Sequence, residues 1–330
     1  MKTLQLILIF VLTTTISVGQ SLKPNQVDYL IFEGAGIRGV SYVGAVKELE
    51  EQGVTENLKG VGGTSAGAIT AMLIAAGYSG DELKQVLFDP DLGEFNDGGY
   101  LFPGGINRLS KDYGWYKTDA LEEALMDLLS RKGFAPETTL KGIEEKSGLL
   151  FRTSTTDLVG QQPMALGSHN YPEMRVVDAV LASVAIPFYF HPIVIDSKGH
   201  RLKEASSSEH KMLVDGGILM NFPIQLFDDV DPEKRTLGVR VDTQDQFEQD
   251  AVNPDVLAPQ DINNLSEYVT AFYVLVLEKM NRQSLTDSDW DRTVRINCGD
   301  LGPKIKSMSK EQKELLVKAG QDAVAMYFKE

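Results

Sequence analysis

The sequence predicts an α/β fold with a central, mostly parallel sheet flanked by helices. Two successive strand–glycine-turn–helix units open the chain, Val27 to Gly53 and Leu58 to Gly77. Alternation of that kind builds parallel strands joined by crossover helices. The composition supports it: of 330 residues, 42% are hydrophobic and 24% charged, which is ordinary for a folded chain with a sizeable core.

Taken in order, Val27 to Phe32 is a short run rich in β-branched and aromatic residues and reads as a buried strand. A helix follows, with Val40, Val43, Val46 and Leu49 spaced three apart. Leu58 to Gly62 is a second strand, and a helix of small residues runs on to about Ala76. Asp89 to Tyr116 has six glycines and many aromatics without periodicity, and reads as a long loop. Thr118 or Asp119 caps a helix with Leu121, Leu125, Leu128 and Leu129 on one face. Leu149 to Leu158 reads as a strand, Arg175 to Val184 as a helix stopped by Ile186-Pro187, and Met212 to Val214 and Leu237 to Val241 as strands. Asp242 to Gln260 is acidic and polar, which predicts a loop. Leu265 to Asn281 predicts a long helix whose apolar stretch Tyr268 to Leu277 reads as core. Ser309 with Gln312 forms a capping box for a last helix.

The first nineteen residues read as a leader rather than as fold. A basic start at Lys2 precedes an apolar stretch from Leu4 to Leu12, and Ser17 and Gly19 would occupy the -3 and -1 positions of a cut before Gln20. The apolar run is shorter than the ~20 residues that span a bilayer. This predicts export across the membrane, to the periplasm or the medium. A single cysteine, Cys298, fits an oxidising compartment and rules out an intrachain disulfide or a cysteine-built zinc site.

Charge narrows the partners. Lys plus Arg is 32 and Asp plus Glu is 47, a net charge of -15, so the basic footprint for nucleic acid is missing. Anionic lipid would also be repelled. The four histidines, His169, His191, His200 and His210, show no metal-ligand spacing.

Two glycine motifs compete for the chemistry. Gly34-x-Gly36-x-x-Gly39 sits between a strand and a helix, as a dinucleotide turn would. That reading requires an acid at the end of the next strand, and Gly62-Gly63-Thr64-Ser65 supplies none. A turn whose N–H groups converge at a helix start remains, suited to an anion or a developing oxyanion. Gly63-x-Ser65-x-Gly67 occupies the same context and reads as a nucleophile elbow, although a glycine-rich capped turn has the same pattern. A serine nucleophile needs a base. No histidine follows His210, so the late position of a Ser-Asp-His order is empty. Asp215, ahead of Gly216 and Gly217, is a carboxylate that could be presented directly to the serine; the same triplet also reads as a plain turn.

Together these blocks resemble the patatin-like phospholipases, a family of lipid acyl hydrolases. The resemblance runs from Tyr29 to Pro223 in family order. Gly34-Ala35-Gly36-Ile37-Arg38-Gly39 is similar to the oxyanion loop, with Ala35 where a third glycine is often found. Gly63-Thr64-Ser65-Ala66-Gly67 is similar to the nucleophile box. Ala182 to Pro187, with Phe190 and Pro192, resembles the block before the catalytic aspartate, and Asp215-Gly216-Gly217 with Asn221 and Pro223 resembles the aspartate box. The resemblance implies a three-layer fold and a Ser–Asp dyad of Ser65 and Asp215. It implies an oxyanion hole at Gly34, Ala35 and Gly36, with Arg38, Gly39, Gly63, Gly67, Gly216 and Gly217 as supporting positions. It implies no metal or cofactor. The substrate would be a lipid or acyl ester, with transient contact with a membrane surface. Residues 20–245 would be the catalytic domain and 246–330 a mostly helical part packed on it. An acyltransferase, a thioesterase and a catalytically silent lipid-binding protein would carry the same motifs. The aromatic segment from Phe95 to Trp115 is the expected lipid contact, because exposed aromatics suit interfaces.

Overall fold

The computed structural model describes residues 21–88, 113–203, 210–254, 256–301 and 308–329. The leader and its cut fall outside these residues, as do Phe95, Tyr100 and Phe102 of the aromatic segment.

An eight-stranded sheet organises the molecule. Its strands are β1 (Tyr29–Phe32), β2 (Gly60–Gly63), β4 (Leu150–Asp157), β5 (Gln162–Leu166), β7 (Ile193–Ile195), β8 (Lys211–Asp215), β9 (Thr236–Asp242) and β10 (Thr293–Asn297). Five run parallel in the order β10-β9-β1-β2-β4. Beyond β4 the sheet turns antiparallel through β5, β8 and β7. Strands β3 (Gly114–Tyr116) and β6 (Phe188–Phe190) form a separate two-stranded ribbon.

The helices are α1 (Ser41–Glu51), α2 (Ala66–Ala75), α3 (Gly80–Leu83), α4 (Asp119–Arg131), α5 (Leu140–Ser147), α6 (Val176–Val184), α7 (Gly217–Met220), α8 (Gln244–Val252), α9 (Leu265–Gln283), α10 (Asp287–Asp291) and α11 (Lys310–Tyr327). Alternation along β1 shows how they divide between the two faces of the sheet. Leu30 and Phe32 point into the larger core with residues of α1, α2, α4, α5, α6 and α11. Tyr29 and Ile31 point the other way, into a small cluster with Phe222, Ile224, Leu226 and Phe227. Because both faces are covered, every residue of β1 is buried, as expected of a central parallel strand.

Helix α11 docks closely on α1. A Cβ at Gly44 would lie 1.7 Å from the Val317 carbonyl oxygen, and one at Gly320 would lie 2.0 Å from that of Ser41. The backbones of α1 and α11 therefore touch. Ser309 and Gln312 close the capping box that starts α11.

Two expectations are corrected. The stretch after Asp242 is not loop throughout, since Gln244–Val252 is helical. Its inward positions are polar, so it shows no apolar stripe. Gln246 is buried and accepts from the Ala258 N–H at 2.9 Å, and Asp250 pairs with Arg282 and Arg295. The second correction concerns α9. Its Tyr268, Phe272, Leu275 and Val276 are exposed rather than core. This helix is fixed to the body by polar side chains instead, through Glu278, Asn281 and Arg282.

Candidate active site

Strand β2 ends in a sharp turn that carries Ser65 into α2. Ser65 has φ 51° and ψ -118°, a left-handed conformation that L side chains avoid. Such a residue stores about 1–3 kcal/mol and persists only where its surroundings dictate it. Here the Ser65 N–H donates to Ser183 Oγ at 2.9 Å, and its carbonyl accepts from Ala68 and Ile69 at 2.9 and 3.1 Å. The flanking glycines are demanded by proximity. A Cβ at Gly63 would lie 2.6 Å from the Phe32 carbonyl oxygen, and one at Gly67 2.2 Å from the same atom. At Gly39 it would meet Ala66 Cβ at 2.9 Å.

Asp215 reaches this turn from the opposite direction. Thr153 of β4 pairs with Gly63 on one side and Leu166 on the other, and Thr155 pairs with Asp215 on one side and Met164 on the other. Strands β2 and β8 therefore share the β4 edge that β5 leaves open. They run toward each other and stop with Ser154 between their ends. A Cβ on Gly216 would lie 2.3 Å from Ser154 Oγ, so only glycine lets β8 end this close.

The Asp215 carboxylate is buried, and the Gly217 N–H donates to its Oδ1 at 2.7 Å. Burial dominates and pushes the carboxyl up to about 6, while the Gly217 N–H and the nearby Ser65 hydroxyl pull the other way. A serine hydroxyl thus lies against a carboxylate made more basic by desolvation.

The glycine turn after β1 closes the site. The Gly34 N–H donates to the Asn221 carbonyl at 2.9 Å, and Asn221 Nδ2 donates to the Gly34 carbonyl at 3.0 Å. A Cβ on Gly34 would lie 2.2 Å from Asn221 Oδ1. Gly34 thus leaves room for the Asn221 side chain. Its N–H is already engaged, which corrects the expectation that it faces an oxyanion. Gly36, at φ 54°, redirects the chain into a 3-10 turn, Gly36–Val40. Arg38 is buried, and its Nε donates to the Ala35 carbonyl at 3.4 Å, so it braces the loop it belongs to.

Several supporting residues carry no sequence signal. Asn281 of α9 donates from Nδ2 to the Gly217 carbonyl at 3.4 Å and accepts from the Asn221 N–H. Glu33, buried directly before the glycine turn, accepts from Asn221 Nδ2 at 3.3 Å and from the Val241 N–H at 2.9 Å. Burial pushes its carboxyl up to about 7, against the pull of Arg240 at 3.6 Å. Arg240 also pairs with Asp242 and with Glu278 of α9. One buried polar network therefore ties the glycine turn, the segment after Asp215 and α9 together.

Two of the four histidines have partners elsewhere. His200 pairs with Asp196 at 3.2 Å, and His169 lies near Arg152 and Asp229, with burial lowering its pKa. Among the described residues, no group of three or more His, Cys, Asp or Glu side chains is arranged to hold a metal ion.

Comparison with known proteins agrees with this layout. A family model described as patatin-like phospholipase matches residues 30–228. The chain is 25% identical over 310 residues to the uncharacterized protein R571 of Acanthamoeba polyphaga mimivirus, across 93% of this chain and 96% of that one. It is 34% identical over 201 residues to the uncharacterized protein YqhO of Bacillus subtilis, across 60% of this chain and 65% of that one. Among solved structures, VipD from Legionella pneumophila superposes with a TM-score of 0.58 at 18% identity, over 92% of this chain and 67% of that one. That likeness is one of fold.

Proposed function

This chain belongs to the patatin-like phospholipase family, and from that premise we propose that it is an exported serine lipid acyl hydrolase of phospholipase A or esterase type, working through a dyad of Ser65 and Asp215. The observation that carries the reading is the placement of Ser65, held at φ 51°, at the end of β2 and beside the buried carboxylate of Asp215 at the facing end of β8.

The chemistry follows from that pair. Ser65 Oγ attacks the acyl carbonyl carbon while Asp215 takes the hydroxyl proton. The carbonyl oxygen becomes an oxyanion, held by the N–H groups of Ala35 and Gly36, each such donor being worth about 2.7–4 kcal/mol. Collapse breaks the ester C–O bond. The leaving alkoxide takes the proton from Asp215 and departs as the alcohol, leaving an acyl ester on Ser65. Water then attacks that ester, Asp215 takes a proton from the water, and the second collapse returns the proton to Ser65 Oγ and releases the carboxylic acid. No histidine, metal or cofactor takes part.

Export rests on the leader pattern of residues 1–19, and N-terminal mass analysis of the exported protein is expected to begin at Gln20. The test of the activity is hydrolysis across a panel of phospholipids and neutral acyl esters by the mature chain, with fluorophosphonate labelling. Labelling of Ser65 together with release of fatty acid is the expected result. A folded protein that neither labels nor releases acid overturns the reading.

A further inference from the structure

Helix α9 departs from the packing of every other long helix described. Leu265, Tyr268, Phe272, Leu275, Val276 and Met280 are all exposed, from 37% at Val276 to 77% at Leu265. At 100° per residue these six positions fall within an arc of about 140°. That is broader than the narrow seam of a two-helix coiled coil, and it describes a face rather than a ridge.

Charge is sorted around the same helix. Its two acids, Glu267 and Glu278, fall on the opposite side, although the chain carries 47 acids and a net charge of -15. The one charged residue inside the arc is Lys279, whose long stem can lie along apolar surface. Exposed apolar residues continue ahead of the helix at Val252, Val256 and Ile262. The side opposite the stripe carries the bonds to the body, with Glu278 on Arg240 at 3.2 Å and Asn281 on the Gly217 carbonyl at 3.4 Å. Gly217 is the residue whose N–H holds Asp215.

We infer that α9 is an interfacial helix. Its apolar face seats on an electrically neutral, zwitterionic phospholipid surface, and its inner face is bonded to the loop that holds Asp215, so docking brings the dyad to the lipid. The inference rests on the lipid hydrolase reading above for the purpose of the docking. Among the described residues no helix is long and apolar enough to cross a membrane, and the polar inner face of α9 is committed to the protein, so the helix lies in the plane of the surface. The acidity of the chain selects a neutral surface over an anionic one. The attraction is then apolar burial rather than charge.

The test uses the full mature chain with vesicles of phosphatidylcholine. Binding is measured by co-flotation in a Ser65→Ala background, which leaves the vesicles intact, and hydrolysis in the active background. Phe272→Ser with Leu275→Ser is expected to lower vesicle partitioning and vesicle hydrolysis at least tenfold. Turnover of a soluble short-chain p-nitrophenyl ester should stay within twofold. Raising the salt should leave wild-type partitioning unchanged or higher, and adding anionic lipid should lower it. A single Phe272→Trp variant in the Ser65→Ala background should show a blue-shifted emission component on adding vesicles, a readout that survives if the double variant folds poorly. Unchanged partitioning of a folded double variant overturns the proposal. So does a change from dimer to monomer with partitioning intact, which would make a second copy the occupant, or equal loss on both substrates, which would make this face part of the chain's own packing. If no ester is hydrolysed yet partitioning depends on Phe272, the hydrolase reading fails and the docking stands. If the soluble ester is hydrolysed but partitioning ignores α9, the docking alone fails.

Discussion

The hydroxyls of Thr64 and Ser154 share a hydrogen bond of 2.5 Å in the gap where β2 and β8 end against each other. Thr64 belongs to the elbow, and Ser154 lies on β4 between the residues that pair with Gly63 and Asp215. The Met220 carbonyl lies within reach of both hydroxyls, at 2.8 and 3.0 Å. This knot joins the elbow, the sheet and the helix that follows Asp215, so the spacing of Ser65 and Asp215 is set by three elements at once.

Removing one partner of that knot should loosen the site. Thr64→Val is expected to cost about 1 kcal/mol, because the Thr64 bonds to Ser154 and the Met220 carbonyl are lost while Ser154 can still donate to that carbonyl. It should also lower kcat while leaving KM for a soluble ester near the wild-type value. Chemical denaturation and steady-state kinetics check both. A variant as stable and as fast as wild type would show that the knot positions nothing.

Replacing Ser65, the proposed nucleophile, separates chemistry from strain. Ser65→Ala and Ser65→Gly should both abolish ester hydrolysis and phosphonate labelling. Glycine adopts φ 51° freely and alanine does not, so Ser65→Gly should be the more stable of the two by about 1 kcal/mol. Their urea midpoints give the comparison.

The raised pKa of Asp215 sets a pH limit. The base works ionised, so kcat/KM for a soluble ester should fall as pH drops through about 6. Stability runs the other way. Between the ordinary carboxylate range and about 6 the folded state holds a proton that the unfolded state has lost, so wild-type stability declines as pH rises through that window. Asp215→Asn lacks this titration. It should be nearly inactive, yet its stability relative to wild type should grow from pH 4 to pH 6 and level off above. Thermal melts across that range would expose a reversed trend.

The proposed dyad predicts catalysis without imidazole. Replacing His169, His191, His200 and His210 together by Gln or Asn should leave substantial turnover in a folded protein, whereas Asp215→Asn should not. A folded histidine-free variant without activity would transfer the role of base to one of the four.

The fold class was legible in the strand and helix alternation of residues 27–77, and the proposed site in the glycines around it. Ser65 and Asp215 announce themselves because glycines must flank a chain that turns beside another backbone, as at Gly67 and Gly216. Asn281, Ser183 and Glu33 had no such signal, since one polar residue in a helix or strand looks like any other until its partner is known. Strands β5, β6, β7 and β10 are five residues or fewer. In β5, Pro163 also breaks the pattern, and β10 follows two helices without an apolar run of its own. The exposed face of α9 was misread because apolar residues at helical spacing predict an interior, and nothing in the sequence says that the other face is bonded through Glu278 and Asn281.

The contact of Gly44 with the Val317 carbonyl has a consequence for how the chain acquires its shape. Helix α1 leads directly out of the turn at Gly34 to Gly36, and its partner α11 is the last helix described. The chain from Ser41 to Lys310 must be synthesised before the two can meet, which places a large loop-closure entropy ahead of this contact. Until residues 310–327 arrive, α1 keeps a bare backbone groove, and the buried faces of Leu316 and Val324 have nowhere to go. A chain halted before Lys310 is therefore expected to remain open and protease-sensitive along α1. Helix α11 thus fixes the moment in synthesis at which the helix leaving the glycine turn becomes covered.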